Sequence, residues 1–137
     1  MPAIQGLNHL TLSITDLERS FAFYVDLLGC RPVARWSRGA YLETDDLWLA
    51  LVVDTRIGET RRPDYSHIAF SCAPDDFPAL QTALQQAGAA AWSENESEGD
   101  SYYFCDPDGH KLEIHVGDLA SRLAHMKAHP WDAITFY

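Results

Sequence analysis

Positive charge is scarce in this chain: 10 Lys and Arg stand against 20 Asp and Glu, for a net charge of −10. The basic footprint that lets a protein track a phosphate backbone is missing, so no nucleic-acid partner is expected. Long apolar runs are absent as well. None approaches the roughly 18 residues of a membrane span, and no membrane partner is expected. The opening residues Met1-Pro2-Ala3-Ile4-Gln5 lack the basic stretch followed by an apolar one that marks secretion, which makes the cytoplasm the expected location. Cysteine is sparse: Cys30, Cys72 and Cys105 are odd in number and scattered, without CxxC spacing. That excludes a disulfide framework, and each is expected to be a small packed side chain rather than a nucleophile.

What remains is an ordinary globular composition, 47% apolar and 12% aromatic over 137 residues. Such a length builds one domain over residues 1–137, or two small halves fused across one core. The pattern along the chain favours two similar halves. Leu7 to Ile14 alternates, with His9, Thr11 and Ser13 on one face and Leu10, Leu12 and Ile14 on the other. Asp16 is the expected N-cap of a helix whose Leu17, Phe21, Tyr24 and Leu28 recur at three- and four-residue spacing until Gly29. Strands are then expected over Arg31–Trp36, Ala40–Thr44 and Leu47–Val53, with Asp45-Asp46 as a tight turn. The aperiodic stretch Asp54 to Asp64, with Gly58, Arg61, Arg62 and Pro63, reads as a linker.

After it the order restarts. Tyr65–Ser71 reads as a strand, and Asp75 or Asp76 caps a helix carrying Phe77, Leu80, Leu84 and Ala87 until Gly88. Strands follow near Ala89–Trp92, Ser101–Cys105 and Lys111–Val116, with a polar loop over Glu94–Asp100. The expected architecture is α+β: a first βαβββ module over residues 5–54, a second over 64–117, and a helix and tail over 118–137 opened by Asp118 and carrying Leu119, Leu123 and Met126.

Three side chains carry the chemistry. His9 and His67 recur at the equivalent place in each half, each with a small residue two positions on. Glu113 falls where the repeat brings its strand beside His67. A lone His among apolar residues is usually structural, but two imidazoles and a carboxylate on rigid strands suit a divalent cation with open coordination positions. His9, His67 and Glu113 are therefore the expected metal ligands. His115 shares the face of Glu113 and competes with it, whereas His110 sits in a turn and is expected to be solvated. Overlaying the Tyr41–Leu51 hairpin on Tyr103–Ile114 puts Ala50, within one residue, where Glu113 stands, so the first half offers no fourth carboxylate.

The paired modules resemble the vicinal oxygen chelate superfamily, whose βαβββ repeats form cupped sheets around a metal. Within it, six segments are similar to the fosfomycin resistance proteins of the glutathione transferase type: Gly6 to Leu12, Gly39 to Glu43, Leu47 to Leu49, Ser97 to Ser101, Phe104 to Glu113 and His115 to Leu119. The resemblance implies a homodimer with each site shared between two chains, Mn²⁺ on His9, His67 and Glu113, and fosfomycin and glutathione as substrates. It further implies that Thr11 hydrogen-bonds near the oxirane oxygen, that Ser97, Tyr103 and Arg122 hold the phosphonate, and that Tyr41, Trp48 and Tyr65 line the pocket. Thr11 and Tyr103 are the residues it places nearest the reacting atoms. Asn95, Ser97, Gly99 and Ser101 would form a K⁺ site. One departure stands out: Ser93, after Trp92, occupies the place of the family's phosphonate-binding Lys.

Fosfomycin hydrolysis is an alternative, although the water-using type has a Glu where this chain has Gly39-Ala40; Glu43 lies close by. Addition of another thiol is a further alternative. So is an Fe(II) ring-cleaving dioxygenase, since two His and one Glu also describe that centre. A metal-free drug-binding module would dispense with the three ligands.

Overall fold

The computed structural model describes residues 2–58 and 63–137. The chain forms two compact units, one comprising Met1–Pro63 with Asp106–His110, the other Asp64–Cys105 with Lys111–Tyr137. Each carries one four-stranded mixed sheet, so the fold is α+β. Of the expected linker, Arg61 and Arg62 lie outside the described residues.

In the first unit, β1 (His9–Ile14), β2 (Arg31–Trp36), β3 (Gly39–Thr44) and β4 (Leu47–Val53) pair in the order β1-β4-β3-β2. The β1–β4 pair is parallel and the others antiparallel. Alternation on β1 buries Leu12 and Ile14 and leaves His9 and Thr11 exposed. The helix α1 (Leu17–Ala22) opens on Asp16, whose carboxylate accepts from the Arg19 amide at 3.1 Å; such a cap contributes about 1 kcal/mol. Its last turn widens into a π-helical turn over Phe23–Leu27, with the Leu28 amide donating to the Phe23 carbonyl at 3.0 Å. Tyr24 on this turn is fully buried.

The turn Asp106–His110 packs in this same unit. Asp106 accepts from the Tyr24 hydroxyl at 2.6 Å and from the amides of Asp108 and His110 at 2.9 Å. Asp108 accepts from the Thr15 hydroxyl at 2.6 Å and from the Thr15 amide at 3.2 Å. His110 is half-buried rather than solvated as expected, because its Nε2 donates to the Ser13 carbonyl at 2.7 Å.

In the second unit, β5 (Ile68–Ser71), β6 (Ala91–Ser93), β7 (Ser101–Cys105) and β8 (Lys111–His115) follow the same order, β5-β8-β7-β6. Two strands begin later than the sequence suggests. The Tyr65 carbonyl and Ser66 amide are engaged by the His67 ring and the Asp64 carboxylate, which leaves β5 to open at Ile68. The Ala89 amide closes the end of α2 (Phe77–Gln86) on the Leu84 carbonyl, so β6 opens at Ala91. Helix α3 (Leu119–Ala128) starts from a capping box between Asp118 and Ser121.

Candidate metal centre

His67 stands immediately before β5, and Glu113 is the middle residue of β8. The parallel register pairs Ala69 with Glu113, so the two side chains share a face and His67 Nε2 lies 3.0 Å from Glu113 Oε1. His67 Nδ1 is 2.7 Å from the Tyr65 carbonyl, an acceptor only, so this nitrogen carries the proton. In the neutral imidazole Nε2 then presents a lone pair to a carboxylate oxygen. Two acceptors at that distance repel unless a proton or a cation lies between them. The donor set of one imidazole and one carboxylate, each oriented by a second hydrogen bond, fits a divalent cation.

In the first unit His9 meets the same condition. Its Nδ1 is 2.6 Å from Asn8 Oδ1, which frees Nε2. The ring leans on Trp48 at 4.4 Å, Trp48 edges Tyr41 at 5.2 Å, and Tyr41 edges Trp36 at 4.8 Å. His9, Thr11 and all three aromatic residues are exposed. Register supports the repeat: Thr11 and Tyr41 both pair with Ala50, as Ala69 and Tyr103 both pair with Glu113. Ala50 is therefore the counterpart of Glu113. His9 belongs to one unit and the His67–Glu113 pair to the other; among the described residues no three His, Cys, Asp or Glu side chains form a metal-holding group.

Around His67 the second unit builds an aromatic wall from Tyr65, Trp92 and Tyr103, with ring centroids 4.9, 5.3 and 5.7 Å from the imidazole. Tyr103 is buried and Tyr65 exposed. The Tyr103 hydroxyl beside it pushes the Tyr65 phenol up from its ordinary value, with burial adding in the same sense. Ser93 lies across from Tyr103, and its hydroxyl donates to the Glu94 carbonyl at 3.3 Å. From Asp64 to Val116 the only Lys or Arg is Lys111. Its Nζ sits 5.0 Å over the Trp92 ring and donates to the Asp64 carbonyl. Arg122 is held by Glu98, with Nε 3.2 Å from the carboxylate and Nη2 3.3 Å from the carbonyl.

The loop before β7 is drawn together by Asn95. Its Nδ2 donates to the Gly99 carbonyl at 2.8 Å, and its Oδ1 accepts from the Ser97 amide at 3.0 Å and hydroxyl at 2.9 Å. The Ser101 side chain turns elsewhere: its hydroxyl donates to Glu113 Oε2 at 2.6 Å and lies 2.6 Å from His115 Nδ1. His115, the competing ligand in the sequence, thus directs Nδ1 at Ser101. Sequence reasoning missed Asn8, the Tyr65 carbonyl and this role of Ser101. The signal for Ser101 was available in the hairpin register that sets it opposite His115.

Two βαβββ units, each with a four-stranded mixed sheet and a His on its first strand or just before it, define the class of fold. The model of the Glyoxalase/Bleomycin resistance protein/Dioxygenase superfamily matches residues 6–114, and the chain belongs to that superfamily. It is 48% identical to glutathione transferase FosA of Serratia marcescens, over 97% of this chain and 96% of the relative. It is 38% identical to metallothiol transferase FosB of Lysinibacillus sphaericus, over 90% and 91%. Among solved structures, fosfomycin resistance protein FosX from Mesorhizobium loti superposes with a TM-score of 0.75 at 32% identity, covering 88% of this chain and 99% of that one. FosX from Listeria monocytogenes, solved with Mn(II) and sulfate ion, superposes with a TM-score of 0.79 at 27% identity over 90% and 98%.

Proposed function

We propose that this protein is a metal-dependent glutathione transferase that inactivates fosfomycin. The observation that carries the reading is the His67–Glu113 pair, two acceptors held 3.0 Å apart with His67 Nδ1 on the Tyr65 carbonyl and Glu113 Oε2 on the Ser101 hydroxyl, in a chain 48% identical to a glutathione transferase. His67, Glu113 and His9 would hold the cation, which we take to be Mn²⁺, with His9 supplied by the second copy of a homodimer. The exposed aromatic face around His9 is the surface such a partner would cover. A bound divalent cation supplies Lewis acidity toward the substrate oxygen.

The chain's own groups do the rest. The glutathione sulfur forms a C–S bond at the epoxide carbon, the C–O bond breaks, and the oxygen keeps the electron pair and takes a proton. Thr11, exposed on the face of His9, is assigned the hydrogen bond near that oxygen. Ser97, Tyr103 and Arg122 bind the phosphonate, for which a guanidinium fork is well shaped. Tyr41, Trp48 and Tyr65 line the pocket and exclude water. Asn95, Ser97 and Gly99, already drawn together, would take K⁺ with Ser101. A transferase of this kind acts in the cytoplasm, where glutathione keeps thiols reduced; among the described residues no helix is long and apolar enough to cross a membrane.

Thiol addition is favoured over hydrolysis by two contacts. Glu43 is paired with Arg31. A side chain at Gly39 would begin 2.5 Å from the Leu51 carbonyl, so that position cannot carry a Glu without a backbone shift. The test is incubation of the purified protein with Mn²⁺, fosfomycin and glutathione, followed by mass analysis. The expected product is the glutathione adduct. A hydrated diol, an adduct with other thiols alone, or oxygen uptake with a catechol under Fe(II) would each replace the reading with the corresponding alternative.

A further inference from the structure

Ser101, Glu113 and His115 form a linked trio in the second unit. Ser101 and Glu113 are 8% and 6% exposed, and the His115 side chain is 15% exposed. The proton count fixes the direction of each bond. Ser101 has one hydroxyl proton, and Glu113 Oε2 at 2.6 Å is an acceptor only, so the proton goes there. The contact of 2.6 Å to His115 must then be Nδ1–H donating to Ser101 Oγ.

The other half of the repeat shows that this trio is no requirement of the fold. Ser101 pairs with His115 and Tyr103 with Glu113; in the first unit Gly39 pairs with Val52 and Tyr41 with Ala50. The counterparts of Ser101, Glu113 and His115 are thus Gly39, Ala50 and Val52, none with a polar side chain. A hairpin of the same register folds without them. The His115 ring packs against two glycines that hold positive φ, +83° and +132°: a Cβ on Gly99 would stand 2.5 Å from the Val116 carbonyl and 2.9 Å from His115 Cε1, and one on Gly117 2.9 Å from Ser121 Oγ and 3.1 Å from His115 Nε2.

We infer that Ser101 and His115 are positioning residues for the Glu113 ligand. The chain His115 Nδ1–H to Ser101 Oγ, then Ser101 O–H to Glu113 Oε2, clamps one carboxylate oxygen and leaves Oε1 facing His67, where the two would hold a cation. His115 acts through Ser101 and is not itself a ligand. The inference rests on the metal reading above and goes beyond it, moving the Ser101 side chain from the K⁺ loop to the support of the metal carboxylate.

The experiment is Mn²⁺ titration of the purified full chain, followed by electron paramagnetic resonance, with no fosfomycin present. Ser101→Ala should weaken Mn²⁺ binding about 10- to 100-fold, the range for loss of an outer-shell partner. Ser101→Thr, which keeps the hydroxyl, should restore it. His115→Phe should weaken binding less than Ser101→Ala does, and the double variant should be no weaker than Ser101→Ala alone, because one residue works through the other. Thermal unfolding of the metal-free variants separates folding from affinity: a lowered melting temperature with Mn²⁺ affinity intact would mean the trio only supports the sheet, and would overturn the proposal. So would unchanged affinity in Ser101→Ala, or a larger loss in His115→Phe than in Ser101→Ala, which would make His115 a ligand. Failure of the wild-type chain to take up Mn²⁺ would overturn the metal reading and this inference with it. Mn²⁺ uptake without adduct formation would strike the transferase reading alone.

Discussion

At the scale of single residues, charge decides the site. Glu113 is buried and its Oε1 faces a lone pair of His67, so in the proposed site its negative charge is the term that would draw a dication into that gap. Glu113→Gln keeps the shape and removes the charge. Mn²⁺ retained after desalting, measured by metal analysis, should fall by more than about 100-fold, beyond the loss of an outer-shell partner. His67→Ala should do the same. Ser93 raises the opposite question, because the surroundings of an anionic substrate hold few cations: Arg122 is tied to Glu98, and Lys111 is the only Lys or Arg from Asp64 to Val116. Ser93→Lys places an ammonium across from Tyr103. Steady-state kinetics should show a KM for fosfomycin lowered about 10-fold or more, in line with a charged hydrogen bond of ~1.5 to 3 kcal/mol, and kcat nearly unchanged, since the attraction already exists in the bound ground state. An unchanged KM would mean that Lys111 already fills the role beside Arg122.

At the scale of elements, the turn Asp106–His110 shows both what the sequence discloses and what it withholds. Strand alternation, the Asp16 cap and the closing glycines at 29 and 88 were legible because each depends on neighbours within a few residues. The placement of His67 just before β5 was less so, since the Tyr65 carbonyl is captured by a ring two residues on. His110 read as solvated because its partner, the Ser13 carbonyl, lies far away in sequence. The Ala50 and Glu113 correspondence was readable because the repeat makes a long-range register into an internal comparison. The buried Asp106 carries a testable cost. Burial raises its carboxyl above the ordinary value of 3.8, although the Tyr24 hydroxyl pulls the other way. With the folded value above the unfolded one, the folded state binds the proton more tightly, so its stabilisation is full below pH 3.8 and is lost as pH rises through the folded value. Asp106→Asn should therefore destabilise the protein most at low pH, and the penalty should shrink as pH rises, measured by urea unfolding across that window. Tyr24→Phe strips the carboxylate of its hydroxyl donor and should cost about 1 to 3 kcal/mol, the range for an unsatisfied buried partner.

At the scale of the whole molecule, the two units divide the labour of the proposed site. One carries His9, Thr11 and an exposed run of aromatic rings; the other carries the His67–Glu113 pair with its supports. In the proposed homodimer, two-fold symmetry would let the first unit of one copy meet the second unit of its partner twice over. The consequence can be tested without a structure of the assembly. His9→Ala and Glu113→Gln should each be inactive alone. When the two variants are unfolded together and refolded, a mixed dimer contains one site with both defects and one with neither, so random pairing should return about a quarter of wild-type activity. If His9 and Glu113 of the same chain shared a site, every site in every mixture would contain one defect, and activity would stay at the level of the single variants. Sedimentation of the undiluted mixture should show a dimer. Recovered activity that falls on dilution in parallel with the dimer fraction would tie the complete site to the pairing of two copies.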